Sequence, residues 1–288
     1  MTRRTLLQAG PALAGLAAVP AGAAGGKPRL RTAIVAYSFR DALQKKLMTY
    51  EDLVRRAVEW DVDGLDLTVY WFPSTSEEFL APLRRLAYTN AVELYSISVR
   101  TEMCRPTAEL RAKEVAEVQK WVDVAERLGA GHIRVFGGTV PKGSSEDEAA
   151  GWVTEVLKRS AEYAGKKGVI LGLENHGGIT SRAERIIQIV KAVDSPWVGI
   201  NLDTGNFRQD AYAQVEACVP YAVNTQFKAE VSERGERRES DWDRVVAMLA
   251  KGGYKGYLGL EYEAKEDPMA AVPRLMRRLR ELARKYSG

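Results

Sequence analysis

Acidic side chains follow three apolar segments in the second half of the chain. Glu174 comes directly after one such segment, and Asp203 and Glu261 come directly after two later ones. If these segments are parallel strands of one barrel, the three carboxylates lie at the same rim and repel one another. A bound divalent cation would offset that repulsion, and oxygen ligands without cysteine favour Mn²⁺ or Mg²⁺ over a structural zinc ion. The alternative is that each acid pairs with a nearby lysine or arginine, or caps the helix that follows.

Eight short apolar segments alternate with amphipathic stretches. The segments cover residues 32–36, 64–69, 92–99, 132–136, 169–173, 198–202, 222–227 and 257–260. Their length and their content of valine, isoleucine and leucine indicate parallel strands that are buried on both faces. The stretches between them repeat apolar residues at helical spacing, as in 115–128 and in 186–193, for which Ser181 is a candidate cap. Eight such units without a linker predict an α/β fold, a single (β/α)₈ TIM barrel.

An open, doubly wound sheet is the alternative to the barrel. Such a sheet usually places a glycine-rich phosphate loop after its first strand, and residues 37–40 contain no glycine. The composition excludes several other classes. With 45% hydrophobic and 28% charged residues, the chain is neither disordered nor fibrous. Only two cysteines and two histidines exclude cysteine-rich zinc modules and sites with three imidazoles, and a net charge of +4 gives little support to a nucleic-acid partner.

The first residues read as a targeting segment. Arg3 and Arg4 precede a weakly apolar stretch that is broken by Pro11 and Pro20, and small residues at 21–23 offer a cleavage pattern. This arrangement predicts a twin-arginine export signal over residues 1–23 and a mature domain over 24–288. We therefore expect a periplasmic or secreted protein without a stable membrane anchor. In that compartment the two cysteines, which no motif surrounds, are expected to be buried free thiols.

Two short motifs carry a resemblance to a known family. They are Leu-Glu-Asn-His over 173–176 and Leu-Asp-Thr-Gly-Asn over 202–206. With them, the chain resembles the xylose isomerase-like TIM-barrel superfamily, and within it the sugar phosphate isomerase/epimerase family, over essentially the whole mature domain. In that family four strands hold one metal through glutamate, aspartate, histidine and glutamate. The resemblance implies one divalent ion, Mn²⁺ ahead of Mg²⁺ or Co²⁺, bound by Glu174, Asp203, Gln226 and Glu261.

Gln226 departs from the family pattern, which usually has a histidine at this place on the seventh strand. An amide oxygen can bind a hard ion, but it is neutral and binds softer metals less well than imidazole does. Three interpretations stay open. Gln226 is a metal ligand, or a donor that supports the ligands, or a sign that metal binding has weakened.

The resemblance also implies a reaction. Sugar isomerases and epimerases remove a proton from a carbon next to a carbonyl, and a metal stabilises the resulting enediolate. In ketose 3-epimerases the two metal-binding glutamates act on opposite faces of that carbon. Glu174 and Glu261 are therefore expected to be the acid/base pair that acts on a sugar or keto-sugar. No glycine-rich nest or basic cluster follows the last two strands, so we expect a free sugar rather than a sugar phosphate.

Five further side chains are expected to contact the carbohydrate substrate: His176, Lys228, Arg134, Trp71 and Tyr37. The polar ones would bind hydroxyl groups or a developing oxyanion, and the aromatic ones suit the apolar face of a sugar ring. Each has a structural alternative: a satisfied loop histidine, cations that only neutralise the acids, and ordinary loop packing. If the seventh strand continues, Glu230 lies on the same face as Gln226.

Three other functions compete with this interpretation. A lyase or dehydratase that acts on a 3-keto sugar or glycoside would begin with the same proton abstraction. A non-catalytic carbohydrate-binding barrel is compatible with Gln226. The related endonucleases use a histidine-rich cluster of three zinc ions, which two histidines cannot supply. Barrels of this family often pair, so a homodimer remains open.

Overall fold

The computed structural model describes residues 29–287 and shows a closed barrel of eight parallel strands. The predicted signal over 1–23 lies outside the described residues. The barrel order is β1-β10-β7-β6-β5-β4-β3-β2, in which β1 pairs with β10 to close the ring. The strands are β1 (Arg29–Val35), β2 (Gly64–Thr68), β3 (Glu93–Ser98), β4 (His132–Phe136), β5 (Ile170–Glu174), β6 (Val198–Asp203), β7 (Ala222–Phe227), β8 (Glu230–Glu233), β9 (Glu236–Glu239) and β10 (Lys255–Leu260). The predicted TIM barrel is confirmed, and the open sheet is wrong.

Helices surround the barrel: α1 (Arg40–Gln44), α2 (Tyr50–Glu59), α3 (Glu77–Thr89), α4 (Ala108–Leu128), α5 (Glu146–Lys166), α6 (Ala183–Val193), α7 (Ala211–Cys218), α8 (Trp242–Lys251) and α9 (Pro268–Ser287). Local signals set several of their ends. Thr49 and Ser145 cap α2 and α5 through reciprocal bonds with acids three residues on. Gly129, at φ 80°, ends α4 in the left-handed conformation.

Two local expectations are wrong. Arg182, not Ser181, occupies the N-cap position of α6 and makes no side-chain capping bond; the Ala183 N–H instead donates to Oε1 of Gln214 at 2.8 Å. The seventh strand does not continue to Glu230, because β7 ends at Phe227 and the chain turns into the β8–β9 hairpin. Glu230 opens that hairpin and faces Arg237 instead of the barrel mouth.

The ends of the described chain meet at one rim of the barrel. Leu30 N–H, at the start of β1, donates to Oγ of Ser287 at the end of α9 (2.9 Å). Since β1 starts there, this is the rim of the strand amino ends. Cys104 and Cys218 are free and buried, as expected. Among the helices within 29–287, none combines the length and apolar character needed to cross a membrane.

Candidate active site

A cavity of about 380 Å³ opens at the carboxyl ends of the barrel strands. That volume lies within the range of small-molecule sites. Its walls are polar, and they include side chains from all eight barrel strands or the segments that follow them. The residues that line the cavity include Tyr37, Tyr70, Arg134, Phe136, Glu174, His176, Asn206, Lys228, Glu261 and Glu263.

Glu174, the last residue of β5, is 2% exposed and faces the guanidinium of Arg134. Nε of Arg134 lies 3.0 Å from one carboxylate oxygen, and Nδ2 of Asn206 donates to the other at 3.0 Å. Burial raises the pKa of Glu174 well above its usual range, although Arg134 opposes the shift. Arg134 itself is held by bonds from Nη1 to the Tyr70 hydroxyl (3.1 Å) and to the carbonyl of Val99 (3.0 Å).

Lys228 lies among three other carboxylates just beyond β7. Its Nζ is 2.5 Å from Glu261 and 3.3 Å from Asp203, and it also donates to Glu263. Burial lowers the pKa of Lys228, but the three acids outweigh that effect and raise it well above its usual value. The pKa of Asp203 rises to about 7 through burial, against the opposing charge of Lys228. Burial acts in the same direction on Glu261, yet the nearby cations prevail and its pKa is lowered.

We call these six side chains the ion-pair cluster: Glu174, Asp203, Glu261 and Glu263 with Arg134 and Lys228. The carboxylates outnumber the cations by two. Two buried oxygens, Oε2 of Glu174 and Oδ2 of Asp203, accept no well-aligned hydrogen bond within residues 29–287, but Nε of Arg134 and Nζ of Lys228 lie 3.0 and 3.3 Å from them as ion-pair partners. The excess of negative charge is the one feature here that suits a divalent cation. However, no three His, Cys, Asp or Glu side chains of that region surround a common point as metal ligands would, and the two cations lie between the acids.

Asp203 and Gln226 are level with each other on β6 and β7, and both are fully buried. The side chain of Asn175 brackets Asp203, because it donates to the Asp203 carbonyl and accepts from the Asp203 N–H, both at 2.8 Å. Oε1 of Gln226 accepts a bond from Nδ2 of Asn201 at 2.7 Å. The structure therefore brings all four predicted metal ligands to one end of the barrel. It also shows a hydrogen-bond partner of Gln226, Asn201, that the sequence did not suggest.

The predicted substrate contacts divide into two groups. His176 and Tyr37 line the cavity together with Arg134 and Lys228. The His176 ring stacks on Phe136 with centroids 4.0 Å apart, and burial lowers its pKa, which favours the neutral imidazole. Trp71 stacks on the Tyr37 ring at 5.9 Å but lines a neighbouring cavity instead of this one. Trp71 is therefore the one predicted substrate contact that does not line this cavity.

Three contributors were missed from the sequence: Asn175, Asn206 and Glu263. Each lies within three residues of a strand end or of a predicted ligand. The signal that could have found them is position, because residues just past the strands of a barrel converge on one mouth. Their residue types gave no separate signal.

A second polar layer fills the barrel beneath the ion-pair cluster. Asp66 on β2 accepts bonds from the hydroxyls of Ser96 (2.9 Å) and Ser98 (2.7 Å). Burial raises the pKa of Asp66 to about 6. His132, at the start of β4, shares a bond of 2.8 Å with Ser96 through Nδ1, and burial lowers its pKa to about 3. These groups lie in the interior, away from the cavity walls.

Solved structures with this architecture include two sugar epimerases. D-psicose 3-epimerase from Clostridium cellulolyticum H10, determined with D-tagatose, has a TM-score of 0.67 and 15% identity over 89% of this chain and 96% of its own. 3-keto-D-glucoside 4-epimerase YcjR from E. coli gives a TM-score of 0.69 and 15% identity over 88% and 100%. The IolI protein, whose structure contains a zinc atom, gives a TM-score of 0.73 and 14% identity over 89% and 99%.

At these identities the likeness shows the fold alone. A search of curated proteins gives no match. The sequence model of the family described as xylose isomerase-like TIM barrel matches residues 54–282, which is most of the chain and includes every residue of the ion-pair cluster. The chain belongs to the xylose isomerase-like TIM barrel family.

Proposed function

We propose that this protein is a divalent-metal-dependent isomerase or epimerase that acts on a sugar or keto-sugar. One observation carries the proposal. Glu174 ends β5 and Glu261 directly follows β10; both face the same cavity, and they are held by different cations, Arg134 and Lys228. Two carboxyl groups that are positioned independently can remove a proton from one face of a carbon and return it to another. The two epimerases of similar fold support the same class of reaction.

The two glutamates have different surroundings, because Arg134 and Asn206 contact Glu174, whereas Lys228 contacts Glu261. We assign them together as the acid/base pair: one removes the proton beside the carbonyl, and the other returns a proton to the substrate. Lys228 and Arg134 would face the negative charge that develops on the substrate oxygens. An ion held by Glu174, Asp203, Gln226 and Glu261, Mn²⁺ in our proposal, would supply further polarisation of the carbonyl.

The cavity walls suit an uncharged carbohydrate. Neutral His176 can donate to or accept from a hydroxyl group, and the Tyr37 ring offers an apolar face. Two of the three Lys and Arg side chains that line the cavity, Arg134 and Lys228, are already paired with carboxylates, so a phosphate group would find few free partners there. We therefore propose a free sugar, keto-sugar or glycoside derivative as the substrate.

Solvent exchange tests the reaction directly. Keto-sugars are incubated with the Mn²⁺-loaded protein in D₂O, and deuterium on carbon is measured by mass spectrometry. We expect uptake with the wild type and a loss of at least about 10²-fold in Glu174→Gln and in Glu261→Gln, since each removes one acid/base group. Arg277→Gln, which changes an exposed residue of α9, is the matched control. Sugar binding without any exchange would identify a non-catalytic barrel, and an eliminated product would identify a lyase.

Metal content is a separate test. The wild type and Glu174→Gln are loaded with Mn²⁺, dialysed and examined by elemental mass spectrometry. We expect about one ion per chain in the wild type and a marked loss in the variant, because an acidic ligand contributes strongly to binding hard cations. A wild type that holds no ion would remove metal dependence from the proposal.

We also propose that residues 1–23 are a twin-arginine signal and that the mature protein is periplasmic or secreted. The paired arginines and the cleavage pattern at 21–23 support this. Fractionation of expressing cells, with sequencing of the mature amino terminus, tests it. Retention in the cytoplasm after both arginines are changed to lysine is the expected result.

A further inference from the structure

Three polar side chains join neighbouring strands in one buried layer of the barrel. Asp66 on β2 is paired in register with Ser96 on β3, and Ser96 is paired with His132 on β4. Oγ of Ser96 lies 2.9 Å from Oδ2 of Asp66 and 2.8 Å from Nδ1 of His132. Asp66 and Ser96 are fully buried, and His132 is 6% exposed. We call these three side chains the β2–β4 relay.

The second nitrogen of the His132 ring has no partner. Nε2 is buried and forms no hydrogen bond within residues 29–287. It lies against Gly172 on β5, where an added Cβ would come within 2.2 Å of it. The glycine therefore leaves room for the ring, and in this part of the chain the imidazole forms hydrogen bonds through Ser96 alone.

The Ser96 hydroxyl has one proton for its two partners. An ionised Asp66 only accepts hydrogen bonds. Ser96 then donates to Oδ2 and must accept from His132, which places the imidazole proton on Nδ1. A protonated Asp66 donates to Ser96 through Oδ2, so Ser96 donates to Nδ1 and the imidazole proton is on Nε2. Both hydrogen bonds of the relay persist in the two states.

Oδ1 of Asp66 is the other place for an added proton. Oγ of Ser98 donates to Oδ1 at 2.7 Å and has no other acceptor in the described residues. A proton on Oδ1 would reverse this bond and leave two buried groups unsatisfied, the Ser98 hydroxyl proton and the bare Nε2 of His132. A proton on Oδ2 leaves only the Nε2 N–H unsatisfied. It is the favoured arrangement because each unsatisfied buried polar group is unfavourable.

Three further ionisable groups face the relay: Arg134 on β4, Glu261 after β10 and Tyr95 on β3. Arg134 favours the ionised form of Asp66, whereas Glu261 opposes it. Burial lowers the pKa of His132 to about 3, so the ring itself stays neutral at pH values above about 4. A change of pH between about 4 and 8 therefore acts on Asp66 and leaves the charge of His132 unchanged.

We propose that the β2–β4 relay is a pH-sensitive device in which the tautomer of His132 follows the charge of Asp66. On acidification the relay gains one proton. An N–H bond forms at Nε2, the proton of Nδ1 moves to Oγ of Ser96, and the proton of Ser96 moves to Oδ2 of Asp66. The negative charge near Arg134 is lost in this step, although no hydrogen-bond partner changes. Neither a metal nor a substrate takes part, so the proposal is independent of the proposed function.

NMR of the full chain with ¹⁵N-labelled histidine tests the proposal, because a bare ring nitrogen and a protonated one have well-separated chemical shifts. The chain has two histidines, so His176→Gln leaves His132 as the source of the signal. We expect most molecules to carry the proton on Nδ1 at about pH 8 and on Nε2 at about pH 4, since the pKa of Asp66 is about 6.

Two matched hydroxyl variants separate the relay from the general effect of burial. Ser96→Ala interrupts the relay, so the tautomer should no longer change with pH. Ser98→Ala removes the other hydroxyl bound to Asp66 and keeps the relay. The change should persist there with a midpoint at higher pH, because Ser98 stabilises the ionised carboxylate.

Asp66→Asn replaces Ser96→Ala if that variant does not fold, and it should likewise abolish the pH dependence because the amide does not ionise. Three results would overturn the proposal. They are one tautomer from pH 4 to pH 8 in the protein with an intact relay, an imidazolium signal from His132 at about pH 4, and an unchanged pH dependence in Ser96→Ala or Asp66→Asn.

Discussion

At the scale of single residues, each acid of the ion-pair cluster pairs with one of two cations, Arg134 or Lys228. The sequence predicted the three strand-end acids because their position after apolar segments is readable along the chain. The sequence did not identify the cations that pair with these acids. Arg134 lies on β4, and it reaches Glu174 only because the barrel places β4 beside β5. Pairing of this kind depends on strand register and side-chain reach, which composition and spacing do not encode.

Removal of the Lys228 charge should destabilise the protein. Lys228→Met leaves Asp203 and Glu261 buried beside each other without their shared counter-ion. Loss of one partner from a buried ion pair costs about 3–5 kcal/mol, and we expect a fall of that size in the free energy of unfolding in urea. Lys251→Met, at an exposed site on α8, should change it by less than about 0.5 kcal/mol. Similar stability for both variants would show that Lys228 is not the required counter-ion.

Asp66 should make the wild type lose stability as the pH rises. The folded protein raises the pKa of this carboxyl from 3.8 to about 6, so it holds the proton more tightly than the unfolded chain does. The contribution of Asp66 is therefore complete below the unfolded pKa and is lost as the pH rises through the folded value. Asp66→Asn cannot ionise. Relative to the wild type it should gain about 2.5 kcal/mol between about pH 4 and pH 8.

Urea unfolding of both proteins at the two pH values measures this gain. Asp41→Asn, at an exposed site on α1, is a suitable second variant for comparison. A stability difference between Asp66→Asn and the wild type that does not vary with pH would contradict the shifted pKa.

At the scale of elements, the barrel strands were predicted far better than the hairpin and the helix start that lie between them. Buried parallel strands are apolar throughout, so β4 and β7 begin and end where the apolar segments do. The β8–β9 hairpin was missed because β9 reads Glu-Arg-Arg-Glu, which has no apolar alternation and is fully exposed. The start of α6 was misplaced because the group that accepts a hydrogen bond from its first N–H, the side chain of Gln214, belongs to another helix.

The loop after β5 depends on two glycines with different surroundings. Gly177 and Gly178 both have positive φ, at 79° and 50°. A Cβ on Gly178 would lie 2.2 Å from the carbonyl oxygen of Gly138, whereas a Cβ on Gly177 would meet nothing within 4 Å. Alanine in the left-handed region costs about 1–2 kcal/mol at either site. Only Gly178→Ala should also displace the loop that carries His176.

We therefore expect Gly178→Ala to lower the free energy of unfolding by at least about 1 kcal/mol more than Gly177→Ala does, since overpacking adds about 1–3 kcal/mol. Urea unfolding followed by circular dichroism measures both. Equal losses would mean that the loop moves freely away from Gly138.

At the scale of the whole molecule, the last helix packs against β1 and β10, the two strands that close the barrel. α9 buries Leu275, Met276, Leu279 and Leu282 and leaves its arginines mostly outside. Leu279→Ala should cost about 2–5 kcal/mol, because it empties a fully buried site, whereas exposed Arg277→Ala should change little. Chemical unfolding followed at α9 and at the barrel interior should give one transition in both variants. Two separate transitions would show that α9 unfolds independently of the barrel.

The bond between Leu30 and Ser287 has a topological consequence. Because the two ends of the described chain touch at the rim opposite the cavity, a short peptide could join them without crossing the mouth. New termini could then be opened in an exposed turn, such as the one at Arg234 and Gly235 in the β8–β9 hairpin. The result would be a circularly permuted barrel with an unchanged ion-pair cluster. In the natural order, the described chain enters β1 at this same rim, away from the cavity.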